Sequence, residues 1–339
     1  RCGRREQPPQ CVQWRRFAAR GRTMNFQQLR IIREAVRQDF NLTTVAGTLF
    51  TSQPGVSKHI KDLEDELGVE IFVRRGKRLL GLTDPGKELL AVVERILLDT
   101  QNARSIADQF SNKDSGNLVI ATTHTQARYV LPEAIKRFKA NYPKVHLVLH
   151  QGSPREIGEL LTTGEADIAI ATEWLENSTE IVTFPFYTWH HDVIVPNGHP
   201  LAQKENVSLA DLAEYPIVTY HEGFTGRTNI DRRFAEAGLV PDVVLSAIDA
   251  DVIKTYVKIG LGIGIVAAMA FDPEADDSLS VLNVSSLFVP NTTRLALRRG
   301  VYLRRYAHAL IEQLIPRLTE AKINDALRHD AAMSEDYTI

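Results

Sequence analysis

The chain of 339 residues is long enough for two or three compact units, and its 44% hydrophobic and 24% charged residues are typical of globular proteins. No apolar run approaches the roughly 20 residues that a membrane-spanning helix needs, so the sequence predicts no such helix. The net charge of −2 excludes a protein that is basic throughout, so any contact with nucleic acid must come from a local basic patch.

Residues 1–23 differ in composition from the rest of the chain. They are rich in Arg and Pro, show no hydrophobic stripe and lack the apolar core of roughly 7–15 residues that a secretory signal contains. We expect Met24 to be the natural start, with residues 1–23 arising from upstream translation or forming a disordered arm. An intact mass that includes them, measured on protein from the native locus, would contradict this expectation.

Both cysteines, Cys2 and Cys11, lie in this segment, so the chain from Met24 onward has no thiol for a disulfide, for catalysis or for a metal, which fits a cytoplasmic protein.

Residues 41–75 predict two short helices joined by a tight turn and followed by a β-hairpin. The first helix carries four apolar residues at helical spacing, which form one buried stripe: Leu42, Val45, Ala46 and Leu49.

The second helix has clear start and stop signals. Ser52 is a good N-cap, Pro54 fits the first turn, where its missing N–H costs nothing, and Gly68 is the expected stop. The apolar side chains fall at i, i+4, i+7 and i+11 and face inward: Val56, Ile60, Leu63 and Leu67. The opposite face is polar and basic near the N-terminus, which is typical of a recognition helix that meets bases in the major groove of DNA.

A basic hairpin is predicted to follow this helix. Residues 72–82 indicate two strands with a basic tip, a wing placed to hold the DNA backbone. The alternative is a plain helical hairpin with a solvated polar face, which is disfavoured because the cap, turn, stripe and basic wing all agree. The candidate DNA-binding residues are Thr51, Gln53, Pro54, Ser57, Lys58, Lys61, Arg74, Arg75 and Lys77.

These residues resemble the winged helix-turn-helix signature of LysR-type transcriptional regulators, and the resemblance covers nearly the whole chain from Met24 onward. It rests on Val45-Ala46, Leu49, Ser52-Gln53-Pro54, Val56-Ser57, Ile60, Leu63-Glu64, Leu67-Gly68, Phe72 and Arg74. Segments of the second half resemble the CysB/Cbl-like branch of the family, which controls cysteine biosynthesis and sulfur assimilation: Ala121–Tyr129, His150–Pro154, Ile170–Glu173, Gly223–Arg227 and Asp249–Tyr256. The motifs do not separate cysteine regulators from sulfonate-utilisation regulators within this branch.

A long helix is predicted to start at the caps Thr83 and Asp84 and to end at about Phe110. Residues in steps of four and three form a heptad seam long enough to pair with a second copy of itself: Leu89, Val93, Ile96, Thr100, Ala103, Ala107 and Phe110. The alternative is an amphipathic helix packed on its own domain. We favour dimerisation because a helix-turn-helix monomer reads only a half-site, and the resemblance implies a homodimer or a homotetramer built from dimers.

From Asn117 onward, apolar strands alternate with amphipathic helices, which predicts a mostly parallel sheet with ligands at the carboxyl ends of the strands. The predicted strands are 118–122, 145–150 and 166–171, separated by helices near 126–141 and 154–163. A second such unit is expected from about Tyr187 to Leu287, after which the chain returns to the first unit near Thr293. Two α/β lobes joined by crossing strands resemble periplasmic solute-binding proteins, in which the ligand lies in the cleft.

Hydroxyl, amide and backbone N–H groups lie at the predicted strand ends and helix N-termini, where they can bind a small anion without a full counter-charge. The candidate effector-binding residues are Thr123, Thr125, Gln126, Gln151, Ser153, Thr172, Thr225 and Arg227. Family positions that contact effector or sulfate are matched, by resemblance, at Thr123, Thr125, Gln126, Thr172 and Thr225. Each threonine alone is as well explained by a cap or a turn, but their joint placement at strand ends favours a site.

Other chemistry is less well supported. The glycines of residues 260–264 precede an apolar strand instead of following one, so they indicate a helix-to-strand turn and not a dinucleotide loop. His190 and His191 are adjacent on a predicted strand and point to opposite faces, so we expect no shared metal ion. No nucleophile elbow, zinc-protease motif or Walker loop occurs, so we predict neither an enzyme nor a cofactor.

The predicted fold class is α/β, with an all-α-type winged helix-turn-helix N-terminal domain and a two-lobed, periplasmic-binding-protein-like α/β effector domain. The expected parts are a winged domain at 24–82, a dimerisation helix at 83–111, an effector domain at 115–320 and a tail at 321–339. Within the effector domain, lobe I is expected at about 115–186 and 288–320, and lobe II at about 187–287.

The resemblance implies a LysR-type regulator that activates genes of cysteine biosynthesis and sulfur assimilation. The expected partners are double-stranded DNA and a small anionic effector, which is N-acetylserine, O-acetylserine, sulfate or thiosulfate. RNA polymerase is a further candidate partner, and no membrane contact is expected. The alternatives are a sulfonate or sulfate-starvation regulator of the same branch and a small-molecule binding protein without a DNA role.

Overall fold

The computed structural model describes residues 24–76, 78–111, 114–172, 179–224, 226–282, 284 and 286–328. It divides into two compact units, the first ending at Arg104 and the second beginning at Ser105. The expectations for residues 1–23, Lys77, Thr225 and residues 329–339 lie outside the described residues. Every helix within the described ranges is too short or too polar to cross a membrane.

From residue 24 to the start of the long helix, the first unit contains three short helices and a two-stranded antiparallel hairpin: α1 (Phe26–Arg37), α2 (Leu42–Thr48), α3 (Gln53–Leu67), β1 (Phe72–Arg75) and β2 (Arg78–Leu82). Asn25 caps α1 and Asn41 caps α2, each by accepting hydrogen bonds from two backbone N–H groups. The helices bury one common core, to which Phe72 and Leu79 of the hairpin contribute. The predicted winged helix-turn-helix is therefore present.

Helix α3 begins and ends where its sequence signals predict. The Ser52 hydroxyl accepts a hydrogen bond from the Gly55 N–H at 3.2 Å, and Gly68 terminates the helix in the left-handed conformation, with φ of 72°. Three residues of the predicted stripe are buried, namely Val56, Ile60 and Leu63, but Leu67 is 40% exposed. The prediction was wrong for Leu67 because the last turn of the helix extends past the packed core.

Helix α4 (Asp84–Ser111) runs across the boundary between the two units. The Thr83 hydroxyl caps it by accepting a hydrogen bond from the Gly86 N–H at 3.0 Å. Within the first unit, Val93 and Leu97 pack against Leu29 of α1, so the first half of the predicted seam is covered by its own domain. The alternative of an amphipathic helix therefore holds there, while dimerisation through the exposed second half stays a prediction.

The first lobe of the second unit contains a five-stranded sheet with strands β3 (Ser115–Thr122), β4 (Lys144–Gln151), β5 (Ile168–Ala171), β6 (Ile181–Trp189) and β12 (Asn291–Arg298). In space their order is β4–β3–β5–β12–β6. The pairs β3–β4 and β3–β5 are parallel, whereas β12 pairs antiparallel with both β5 and β6. The sheet is therefore mixed and not mostly parallel, because the crossing strand β12 runs antiparallel to both of its neighbours.

The second lobe repeats this plan with strands β7 (His191–Pro196), β8 (Ile217–Tyr220), β9 (Val243–Ala247), β10 (Ile263–Ala267) and β11 (Leu279–Leu282). Their order is β11–β7–β10–β8–β9, in which β8 pairs parallel with β9 and β10. The crossing strand β7 is antiparallel to β10 and β11.

Helices cover the faces of both sheets. In the first lobe they are α5 (Leu131–Asn141), α6 (Pro154–Thr163), α10 (Arg305–Leu314) and α11 (Glu320–Arg328). In the second lobe they are α7 (Leu209–Ala213), α8 (Arg227–Glu236) and α9 (Ala250–Lys258). A π-helical turn (Gln126–Val130) precedes α5, where the sequence predicted regular α-helix.

Three expected boundaries need correction, at residues 187, 287 and 321. Strand β6 stays in the sheet of the first lobe up to Trp189, so the first crossing comes after residue 187. Phe288 still packs in the core of the second lobe and β12 begins at Asn291, so the chain returns between these two residues. Residues 321–328 form most of α11 and are no tail, because Ile323, Ala326 and Leu327 at i, i+3 and i+4 are buried in the core of the first lobe.

Candidate functional sites

The N-terminal half of α3 presents a polar and basic face. Gln53, Pro54, Lys58 and Lys61 are exposed, and Ser57 is partly exposed. The Gln53 side-chain amide donates to the Ser57 hydroxyl at 3.4 Å, so the two polar groups lie one helical turn apart on the same face. Thr51, directly before the N-cap, is also partly exposed. The structure therefore gathers the predicted residues of this helix on one surface.

The wing is fixed to α3 through Glu64. Its carboxylate accepts hydrogen bonds from the backbone N–H groups of Ile71 and Phe72 at 2.9 and 3.2 Å, and it pairs with Arg74 at 2.5 Å. Arg74 was predicted to contact DNA, but its guanidinium is engaged in holding β1 against α3. Arg75 at the tip of the hairpin is exposed and has no such anchor role.

The carboxyl end of β3 carries buried hydroxyl groups in the first lobe. The Thr122 hydroxyl donates to the carbonyl of Ile170 at 3.0 Å and so ties β3 to β5. Thr123 and Thr125 are also buried. The Thr125 Oγ1 atom forms no hydrogen bond of good geometry within the described part of the chain, although the hydroxyl of Tyr220 from the second lobe lies close to it.

Gln126 belongs to a polar network in which the crossing strands meet the π-helical turn. The Tyr187 hydroxyl donates to Gln126 Oε1 at 2.6 Å, and Gln126 Nε2 donates to Thr293 Oγ1 at 3.3 Å. Thr293 also accepts from Trp189 Nε1 at 3.0 Å and lies 3.2 Å from the Thr172 hydroxyl. Burial raises the pKa of Tyr187 and keeps its hydroxyl protonated. The network fixes the Gln126 amide in one orientation.

The second lobe contributes Tyr220 and Arg227. The Tyr220 hydroxyl accepts a hydrogen bond from the Ala267 N–H at 3.0 Å, and burial raises its pKa, so it stays protonated. Arg227 is 8% exposed, pairs with Asp231 at 2.7 Å and donates to the carbonyl of Tyr220 at 2.6 Å. It was predicted as the cation of the site, but this carboxylate already balances its charge.

Ser153 and Gln151 are less well placed to bind an anion. Ser153 caps α6, and both its N–H and its hydroxyl donate to the Glu156 carboxylate, at 2.8 and 2.9 Å. These hydrogen bonds hold the pKa of Glu156 below its usual range, so a negative charge lies beside Ser153 at neutral pH. Gln151 is exposed at the end of β4, next to Thr122 in the strand pairing.

Sequence reasoning missed Tyr187, Trp189, Tyr220 and Thr293. The available signal was weak: polar and aromatic side chains stand at the ends of the crossing strands, in otherwise apolar segments. Nothing in the local sequence indicates that Thr293 lies beside Gln126, which is 167 positions away.

The adjacent histidines have separate surroundings. His191 is fully buried, with its ring 5.0 Å from that of Trp189. His190 is partly exposed and lies 3.4 Å from Asp192. In the described ranges, no cluster of three or more His, Cys, Asp or Glu side chains could hold a metal ion.

Both units match known protein families. Residues 26–87 match the bacterial regulatory helix-turn-helix protein, lysR family, and residues 111–319 match the LysR substrate binding domain.

Similar proteins include three transcriptional regulators. The chain is 61% identical to the HTH-type transcriptional regulator SsuR of Burkholderia cenocepacia, over 90% of this chain and 99% of that protein. It is 53% identical to CysB of the same organism, over 92% and 100% of the two chains. It is also 53% identical to the regulator Cbl of Escherichia coli, over 93% and 100%.

Solved structures of related proteins have the same fold. The cofactor-binding domain of the Cbl transcriptional regulator superposes with a TM-score of 0.62 at 48% identity, over 64% of this chain and 95% of that one. A variant of full-length OxyR from Pseudomonas aeruginosa gives a TM-score of 0.61 at 24% identity, over 91% and 96% of the chains. At this lower identity the likeness shows the fold alone.

Proposed function

The chain belongs to the LysR family of bacterial transcriptional regulators, and from this premise we propose that it activates sulfur-assimilation and cysteine-biosynthesis genes when a small anion binds between its lobes. It is a DNA-binding regulator of sulfur and cysteine metabolism with an effector-binding domain, and it is not an enzyme. The identity of the anion, the direction of regulation and the residues of both sites are the proposed parts.

The Thr125 hydroxyl, which has no hydrogen bond of good geometry to any described residue, carries the proposal for the effector site. A buried polar group without a hydrogen bond costs about 1–3 kcal/mol, so a ligand that accepts from this hydroxyl recovers that loss. The group lies at the end of β3, next to Gln126 and close to Tyr220 of the other lobe. A ligand at Thr125 would therefore contact both walls of the cleft.

The chemistry of the walls favours a small anion held by neutral donors. Thr123 and Thr125 lie where the helical segment begins at His124, and the first turn of a helix favours negative charge. The Thr172 hydroxyl lies 3.2 Å from that of Thr293, which accepts from Gln126. The positive charge of Arg227 is balanced by Asp231, so the proposed anion is held mainly by neutral hydrogen-bond donors and not by a cation. Sulfate, thiosulfate and the carboxylates of N-acetylserine and O-acetylserine all fit this description.

The second candidate function stays within the same branch. The chain is more similar to SsuR, at 61% identity, than to CysB, at 53%. A sulfonate or sulfate-starvation regulator is therefore the alternative to a cysteine regulator, and sulfate would then be the signal.

In the proposed mechanism, the effector stabilises the closed arrangement of the two lobes and thereby changes how paired winged domains bind DNA. A ligand can shift this equilibrium only by its difference in affinity for the two arrangements. The exposed second half of the seam on α4 is the proposed contact between two copies of the chain.

Calorimetric titration of the full chain with N-acetylserine, O-acetylserine, sulfate and thiosulfate tests the effector proposal. Thr125→Val removes the unpartnered hydroxyl at nearly constant shape, whereas the control Thr162→Val removes a hydroxyl bonded only to the backbone of α6. An acetylserine that binds the native protein and the control but not Thr125→Val supports the cysteine regulator. Binding of sulfate alone supports the alternative, and undiminished binding by Thr125→Val refutes the site.

A further inference from the structure

The π-helical turn of the first lobe makes a polar bridge to α9 of the second lobe. The Tyr129 hydroxyl donates to Asp251 Oδ1 at 2.7 Å, and Arg128 Nε lies 3.4 Å from Asp251 Oδ2. Tyr129 and Arg128 belong to the same turn as Gln126, and Tyr129 is three positions after it. The turn therefore holds a cleft residue at its start and an interlobe contact near its end.

The Tyr129 ring also packs into the second lobe. It contacts the buried cluster that contains Tyr220 and Ile253, and Lys254 Nζ lies 5.5 Å from the ring centroid. Burial and the hydrogen bond to Asp251 raise the pKa of Tyr129, so its hydroxyl remains a donor at neutral pH. Tyr129 thus joins the lobes by an apolar contact and a hydrogen bond to a carboxylate.

The acceptor side of the bridge is held rigidly within the second lobe. Lys254 is 7% exposed, donates to the Ala270 carbonyl and to Asp276, both at 2.9 Å, and lies 3.4 Å from Asp251 Oδ1. Burial raises the pKa of Asp251, but the Tyr129 hydrogen bond and the Lys254 charge outweigh it and hold that pKa below its usual value. Asp251 is therefore an ionised, fixed acceptor at neutral pH.

We propose that Tyr129 and Asp251 are positioning residues of the effector site, which hold the lobes in the arrangement that places Thr125 and Gln126 opposite Tyr220. The inference rests on the proposed function, because it concerns the affinity of that same cleft. If the bridge breaks, the lobes separate more often and the binding-competent fraction of the protein falls. The apparent dissociation constant for the effector then rises by the inverse of that fraction.

The variants Tyr129→Phe and Asp251→Asn test this role with minimal change of shape. Tyr129→Phe keeps the packed ring and removes the donor, and Tyr142→Phe is the matched control because Tyr142 stacks on Phe138 within the first lobe at 5.2 Å. A hydrogen bond to a charged group corresponds to about a tenfold change in an equilibrium constant. We expect Tyr129→Phe, which loses the donor, and Asp251→Asn, which loses the charge of the acceptor, each to bind sulfate or acetylserine about tenfold more weakly in calorimetry. The losses should be less than additive in the double variant, because both changes weaken the same Tyr129–Asp251 contact.

Hydrogen–deuterium exchange of the full chain gives a second measurement that needs no ligand. We expect faster exchange at the π-helical turn and at α9 together in Tyr129→Phe, and not in Tyr142→Phe. Saturating effector should restore protection at both segments, because it binds the arrangement in which they are in contact. Exchange elsewhere in the chain should stay at the native rate, which a general structural defect would not allow. If the native protein binds none of the proposed anions, the proposed effectors are refuted. Faster exchange at both segments in Tyr129→Phe would still show that the bridge joins the lobes. Unchanged exchange at both segments, unchanged affinity in both single variants or additive losses in the double variant would overturn the proposal.

Discussion

The proposed recognition face of α3 and the proposed effector cleft differ in exposure and in charge. Lys58 and Lys61 are exposed to solvent, whereas Thr125 and Gln126 are almost completely buried. On α3, phosphate contacts gain from released counterions and must order flexible side chains at binding. In the cleft, the hydrogen bonds around Thr293 are already formed, and the Thr125 hydroxyl has no hydrogen bond of good geometry to a described residue. We therefore propose that the winged domain binds DNA mainly through exposed positive charge, and that the sensor domain binds its effector through neutral groups that are already oriented.

The largest expected effect is a loss of stability in the winged domain that leaves the effector cleft unchanged. A Cβ atom at Gly86 would lie 2.1 Å from the carbonyl oxygen of Ile71, so Gly86→Ala must displace backbone and should destabilise the first unit by about 3 kcal/mol. Chemical denaturation and DNA binding should both show the loss, with effector affinity retained. Gly81→Ala is the control, since its Cβ would meet no atom within 4 Å. Equal stability of the two variants would contradict the packing described here.

The cleft should respond strongly to loss of a single hydroxyl. Thr125→Val is expected to weaken effector binding by about 2 kcal/mol, or roughly thirtyfold, because the ligand loses a buried donor. Isothermal calorimetry measures this change, and DNA affinity without effector should stay the same. A variant that bound the effector normally would place the ligand elsewhere in the chain.

The recognition face should be less sensitive to each single change, because its contacts are numerous and partly screened by salt. Ser57→Ala and Lys58→Ala should each weaken DNA binding by about 1–2 kcal/mol and leave effector affinity intact. Fluorescence anisotropy on a fragment selected by the protein from genomic DNA measures the change. Native affinity in both variants would show that another face of the domain reads DNA.

The smallest effect distinguishes the two wing arginines. Arg75→Ala should reduce the slope of log affinity against log salt by about 1, because one phosphate contact is lost. Arg74→Ala should change the slope less and mainly loosen the wing, since Arg74 is paired with Glu64. Measuring affinity at several salt concentrations separates these roles, and equal slopes for both variants would refute the distinction.

Helix α3 could be predicted from the sequence better than the cleft, because its end signals lie close together in the chain and the contacts of the cleft do not. Ser52 and Gly68 mark the ends of α3 by caps that depend on adjacent residues, so the sequence sufficed to locate the recognition helix. The ion pair of Arg74 with Glu64 was not predicted, because it depends on how β1 of the hairpin packs against α3. The network of Gln126 was missed almost entirely, because Thr293 reaches it only after the chain returns from the second lobe.

We propose that binding of the effector and binding of DNA are coupled in this protein, and reciprocal titrations measure that coupling. The affinity of the full chain for the selected DNA fragment is measured with and without the bound anion, and the affinity for the anion is measured with and without DNA. The account predicts that both change by the same factor, roughly 5–150-fold, and that Thr125→Val abolishes the coupling at the same anion concentration. DNA affinity that is unchanged by a saturating anion would contradict it.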